Sequence, residues 1–208
     1  MISKTRPRPY TSPIRKAAAE ATRRAVLTAA RNVFIRNGYA ASTIEAVAAA
    51  ASVSIPTVYA IFGSKARLLS ALLADAGSEQ DIRAIAAAAL AETDPARRLA
   101  AAAKVVRTIM QRERSVLRVL REAGTGAAEL EAAKRQVHEQ QRAALARVVK
   151  PLAEAGKLRA GQTASEAAAT FASLASPESF AYFIEELGWP AGRWERWLAE
   201  SAKRLLLD

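Results

Sequence analysis

Between Ser42 and Lys65 the apolar positions fall on two short helical stripes separated by a polar break. Ile44, Val47 and Ala48 recur at i, i+3 and i+4, one face of a short helix. Ser42 is its predicted N-cap, with Glu45 three residues later closing a capping box. Ser52-Val53-Ser54 breaks the pattern. Ser54 then predicts a second N-cap, and Pro56 suits the first turn that follows, where no backbone donor is needed. Val58, Ile61 and Phe62 make the apolar face of this second helix, so Ile55, Thr57, Tyr59 and Ala60 are left nearer the outside. Gly63 ends it and Ser64-Lys65 opens another helix. Two short helices joined by a three-residue turn make a helix-turn-helix, whose second helix can lie in a DNA major groove.

The same periodicity extends both ways. Upstream, 13–37 predicts a helix with Val26, Leu27, Ala30, Val33 and Phe34 inward and Gly38 as its left-handed C-cap. Downstream, Leu68, Leu69, Leu72 and Leu73 belong to the helix begun at Ser64. Further helices are predicted at 79–91, at 94–111 with Asp94 as N-cap and Pro95 as first residue, and at 114–123. Gly124-Thr125-Gly126 reads as a loop before a long helix at 127–155, which Pro151 should kink or shorten near its C-cap Gly156. Thr163 and Glu166 form a capping box opening a helix with Ala167, Phe171 and Leu174 on one face. One more helix starts at Ser176 and ends at Gly188, and a last one carries Trp194, Trp197, Leu198 and Leu205 on one stripe. The fold class is all-α, an N-terminal helix-turn-helix three-helix head plus a C-terminal helical bundle, about nine to ten helices in total. The expected division is a basic arm at 1–12, a helix-turn-helix DNA-binding domain at 13–76, and a regulatory and dimerisation domain at 77–208.

Composition agrees with helix: 51% of residues are hydrophobic, largely alanine, and Gly and Pro are sparse. No run of apolar residues is long enough to span a bilayer, and no apolar segment follows the basic start, so neither a membrane span nor a secretory signal is expected. A cytoplasmic location fits. With no cysteine, a disulfide, a thiolate nucleophile and a cysteine zinc site are excluded. Charge is uneven: residues 1–76 hold eleven Lys and Arg against three carboxylates, a net +8 of the chain's +11. A basic segment coinciding with the helix-turn-helix is the footprint of phosphate binding, although charge alone reads equally as a solvated face. Arg6 and Arg8 in the arm could reach a minor groove, or the arm is a plain tail.

Thr43-Ile44, Val47-Ala48, Val53-Ser54, Thr57-Val58-Tyr59, Phe62 and Ser64-Lys65-x-x-Leu68-Leu69 together resemble the signature of TetR-type transcriptional regulators. The likeness runs upstream through Val26-Leu27-x-x-Ala30-x-x-Val33-Phe34 and Gly38-Tyr39, roughly residues 20 to 80. The resemblance implies a homodimeric repressor on a palindromic operator in double-stranded DNA, released by a small-molecule effector acting through the helix that begins at Ser64. It also implies phosphate contacts from Thr43, Tyr59 and Lys65, whose hydroxyl, phenol and ammonium suit that role; for Tyr59, half-buried packing is the other reading. Three positions depart from the pattern: Ser52 replaces the turn glycine, Pro56 a glycine of the recognition helix, and Ala66 a glutamate. Thr43, Ser54, Ile55, Pro56, Thr57, Tyr59 and Lys65 form the expected DNA face, with Thr57 the one short polar group placed to reach a base edge or phosphate. Ile55, Pro56 and Ala60 offer only apolar contact, so base readout should be modest and backbone charge and DNA shape dominant.

In the second domain, His138, Gln141 and Leu145 share a helix face, and Val106, Met110, Leu117, Leu120 and Phe171 could line an effector pocket with them. His138 also reads as an ordinary core or surface histidine, and the apolar set as core. The only histidine has no partner for a metal site, and no cofactor is expected. Ala167, Phe171, Leu174, Trp194, Trp197, Leu198 and Leu205 are candidates for a dimer interface or for burial within one subunit. No phosphate loop, nucleophile elbow or metal cluster points to an enzyme. The other binding class is a sequence-tolerant architectural DNA-binding protein, consistent with +11 and the apolar recognition face.

Overall fold

The computed structural model describes residues 13–75, 79–123 and 128–208. Arg6 and Arg8, the loop at 124–126 and the boundary at 76–77 lie outside them. Among the described residues the chain is helical: α1 (Pro13–Ala41), α2 (Ile44–Ala50), α3 (Ile55–Phe62), α4 (Lys65–Asp75), α5 (Gln80–Ala91), α6 (Pro95–Arg112), α7 (Arg114–Glu122), α8 (Ala128–Glu154), α9 (Ala164–Leu174), α10 (Pro177–Ala181) and α11 (Ala191–Leu206). None of these helices is by itself long and apolar enough to cross a membrane.

The head is built on local chemistry. In α1, Val26, Ala30 and Phe34 are fully buried, and the helix turns at Gly38, whose φ of 72° favours glycine. Thr43, not Ser42, caps α2, its hydroxyl accepting from the Ala46 amide at 3.1 Å. Ser42 is buried instead and donates to the Gly38 carbonyl at 2.6 Å, satisfying an acceptor freed by the break in α1. Ser54 caps α3 by accepting from the Thr57 amide at 3.3 Å. Pro56 lies in the first turn, where its missing N–H is harmless. The turn between α2 and α3 passes through Ser52 at φ 54°, the left-handed conformation that a side chain disfavours. Ser52→Gly should therefore stabilise the chain by about 1 kcal/mol, read as a raised urea midpoint with unchanged slope.

The body stacks α5, α6, α8, α9 and α11. Thr163 and Glu166 complete the expected capping box: the Thr163 amide donates to the carboxylate at 2.8 Å and the Glu166 amide to the Thr163 hydroxyl at 3.2 Å. The Thr163 amide and hydroxyl, both donating to that carboxylate, hold the Glu166 carboxyl below its usual range. Pro151 does not end α8, which continues to Glu154. Proline lacks the N–H that would bond the Arg147 carbonyl four residues back. Buried Arg98 takes that place, with Nη2 3.3 Å from the Arg147 carbonyl and Nε 2.7 Å from that of Val148. Its Nη1 meets the Leu90 and Glu92 carbonyls at 2.8 and 2.9 Å, closing the end of α5.

The helix expected to run unbroken from Ser176 to Gly188 changes character. After α10 it widens to a π-helix over Tyr182–Glu186, with the Leu187 amide donating five residues back to Tyr182. This bulge carries Phe183 onto Trp189 and Trp197, at ring centroid distances of 4.5 and 4.4 Å. The C-terminal end is pinned by the Arg159 amide, which donates to the Leu206 carbonyl at 2.8 Å.

Head and body share a core through α4, whose Leu68, Leu69 and Leu72 are buried, and through α1 against α7. At that junction Glu113, the residue between α6 and α7, is 1% exposed. Arg31 on α1 grips it with both terminal nitrogens, at 2.7 and 2.9 Å.

Candidate nucleic-acid interface and effector cavity

Helices α2 and α3 cross at 108°, within the range of a DNA-binding helix-turn-helix. Val58 and Phe62 anchor α3 inward, while Ile55, Pro56, Tyr59 and Ala60 stand exposed on its other side. Thr43 and Ser54 are exposed at the N-termini of α2 and α3, each capping its helix. Elsewhere on the head Arg15, Lys16, Arg24, Arg36 and Arg67 are exposed, whereas Arg23 lies over the Phe62 ring at 5.0 Å and helps seat α3.

Two predicted contacts are already engaged. Thr57 is half-buried, and its hydroxyl shares a 2.7 Å hydrogen bond with that of Ser54. Thr57 therefore serves the helix start, and its base-reading capacity shrinks to what that bond leaves. Lys65 differs more from the phosphate-contact expectation. Its ammonium donates to the carbonyls of Tyr39 and Ser42, each at 2.9 Å, reaches that of Ala40 at 3.5 Å, and sits 4.4 Å above the Tyr39 ring. Desolvation there holds its pKa below the ordinary lysine value. Three donors facing three acceptors make this lysine a brace between α4 and the end of α1. Lys65→Ala should cost about 1–3 kcal/mol of stability by stranding those carbonyls, and a urea titration would register it without DNA.

In the body, an apolar cavity of about 160 Å³ lies between α5, α6 and α8. Val106, Gln141 and Leu145 line it as predicted, together with Ala86, Ala89, Leu90, Ala102 and Ile109, which the sequence reading did not single out. The signal for these was the alanine content of the two facing helices: small side chains on both stripes leave space between them. Met110, Leu117, Leu120 and Phe171 line neither this cavity nor its neighbour and are packed into the core at 6% exposure or less. The neighbour is a polar cleft of about 330 Å³ between α8 and α9, bordered by His138 and Gln141 with Arg135, Glu139 and Arg142. His138 is exposed there. Among the described residues, no group of His, Asp and Glu could hold a metal ion.

The proposed interface stripe is mostly interior. Ala167, Phe171, Trp194 and Leu198 are fully buried within one chain, with Trp194 edge-on to Phe180 at 4.9 Å. They cannot meet a second subunit. Leu174 and Trp197 are half-buried against the same core, and Leu205 stays 43% exposed. Tyr182 and Leu187 are the other large apolar side chains exposed in the C-terminal region.

Residues 26–72 match the family model described as bacterial regulatory proteins, tetR family. No curated protein matches the chain. Among solved structures, a TetR-family transcriptional regulator from Syntrophomonas wolfei superposes with a TM-score of 0.74 at 18% identity, covering 88% of this chain and 94% of that one. NalD of Pseudomonas aeruginosa, the secondary repressor of the MexAB-OprM multidrug efflux pump, gives 0.65 at 22% identity, over 92% and 98%. FadR of Bacillus subtilis, solved with stearoyl-CoA, gives 0.68 at 16% identity, over 86% and 96%.

Proposed function

We propose that this chain, a TetR-family DNA-binding transcriptional regulator in its head and fold, acts in the cytoplasm as a homodimeric repressor released from its operator by a small-molecule effector. The observation that carries the reading is the exposed Ile55–Ala60 face of α3, set at 108° to α2 on the most basic part of the molecule. Two such faces related by two-fold symmetry suit a palindromic duplex. Phosphates would be met by Thr43, Tyr59 and the exposed arginines, with Ile55, Pro56 and Ala60 against base edges. Dimerisation draws on the exposed Tyr182, Leu187 and Leu205 rather than on the tryptophans. The domains divide near residue 76, the head binding DNA and the remainder sensing and pairing. Its work is binding rather than turnover. The liganded FadR neighbour and the repressor NalD lend support by fold likeness.

Release follows from α6. Val106 and Ile109 line the cavity, and the Ile109 carbonyl accepts from the Glu113 amide at 2.9 Å. Glu113 in turn holds Arg31 on α1. A ligand that displaces the last turn of α6 thus reaches the head through Arg31 as well as through α4. It shifts the equilibrium only by its difference in affinity between the two head positions.

The apolar reading face and the engaged Thr57 hydroxyl favour one second reading, a sequence-tolerant architectural protein. Binding to DNA from the gene's own upstream region, competed with random duplex at physiological salt, separates the two. A preference of about a thousandfold or more is expected of a regulator, and a ratio near one of the architectural protein.

A further inference from the structure

Two of the body's cavities share one lining residue. Gln141 borders both the apolar cavity and the polar cleft, and its amide nitrogen is fixed on the Ala175 carbonyl at 2.6 Å. The apolar cavity has no carboxylate in its wall but has Arg147 at its edge. Behind that wall lies Arg98, 6% exposed, whose partners are the carbonyls of Leu90, Glu92, Arg147 and Val148 rather than an acid. The cleft beyond Gln141 adds Arg135 and Arg142 against the single carboxylate of Glu139. The linings of the two chambers thus carry Arg135, Arg142 and Arg147 against Glu139, and a cationic guest would find no counter-charge in the apolar part. Volume sets the other limit, since a dry cavity of about 150 Å³ holds benzene. A 160 Å³ space takes a ring or chain of comparable size.

We propose that the effector is a small amphipathic anion, its apolar part of about six carbons seated between α5, α6 and α8 and its carboxylate passing Gln141 to Arg135 and Arg142. This rests on the reading of the chain as an effector-released regulator. It adds a ligand class to that reading and makes Gln141 the partition over which the ligand lies. Occupation strains the Gln141 tie to Ala175, which joins α8 to the C-terminal end of α9.

The test is calorimetric binding to the full chain of hexanoate and benzoate against hexanamide, benzamide and hexylamine, with no DNA present. The carboxylates should bind at least about tenfold more tightly than the amides, with the amine weakest. The double variant Arg135→Gln/Arg142→Gln changes exposed side chains and should erase that preference. Ala86→Phe, which fills the apolar chamber, should abolish binding of every probe. Equal affinity for acid and amide, preference for the amine, no binding of any probe, or indifference to either variant overturns the assignment. DNA release is read separately. Carboxylates that bind without loosening DNA would sink the effector reading and leave the ligand class standing; release by neutral or cationic compounds alone would do the reverse.

Discussion

Arg31→Ala should cost the chain about 3–5 kcal/mol of stability in urea denaturation, because it leaves the buried Glu113 carboxylate without its ion-pair partner. The reverse deletion should be milder. Arg31 is 30% exposed and Glu113 only 1%, so the guanidinium can turn to water where the carboxylate cannot. Glu113→Ala should therefore lose less than Arg31→Ala, although both break the same pair. Replacing both by apolar residues, Arg31→Met with Glu113→Leu, should recover most of the loss, since two desolvation costs vanish together. That double variant is also informative about release, because it keeps the junction packed while removing its charge tie. If Arg31→Ala proves the milder single change, the carboxylate is better solvated than its burial implies and the tie is not the bolt between head and body.

Ile55→Glu should lower DNA affinity by about 100-fold while leaving stability equal or slightly higher. The two effects have different origins. Ile55 is the first residue of α3 and 39% exposed, so its replacement forfeits little packing, and a carboxylate in the first turn is favoured by the helix dipole. The same carboxylate would face a polyanion if this surface lies in the groove, and like-charge contact there costs several kcal/mol. Fluorescence anisotropy with the upstream duplex reads the first effect and urea titration the second. Affinity within about twofold of the parent would move the DNA face elsewhere on the head.

Sequence legibility followed the range of the interaction. The helix-turn-helix was readable because Ser54, Pro56 and Gly63 act on their immediate neighbours, each with a known effect on the backbone. The cap of α2 was misassigned by one residue because Ser42 and Thr43 both carry a capping hydroxyl. What decides between them is a carbonyl freed at Gly38, on another helix. Lys65 shows the same limit: its three acceptors lie 23 to 26 residues away, and no pattern around the lysine announces them. Periodicity showed that Trp194 and Leu198 belong to a buried stripe but not what buries them, and the answer was α6, α9 and the π-helical turn of the same chain. Arg98 bridging fifty residues to the carbonyls beside Pro151 left no sequence signal at all. The cavity was hardest, since it is made by side chains that are missing. Gln141 and Leu145 were placed in it by helical spacing, whereas Ala86, Ala89 and Ala102 read as plain helix formers.

The most direct test of the central claim, that paired heads present α3 to one duplex, is a hydroxyl-radical footprint of the upstream DNA combined with the mass of the complex. The expected result is two protected half-sites about one helical turn apart, roughly 34–36 Å, under an even number of subunits, with both protections lost in Ile55→Glu. Uniform protection without half-sites, or a single subunit on a single site, would contradict it.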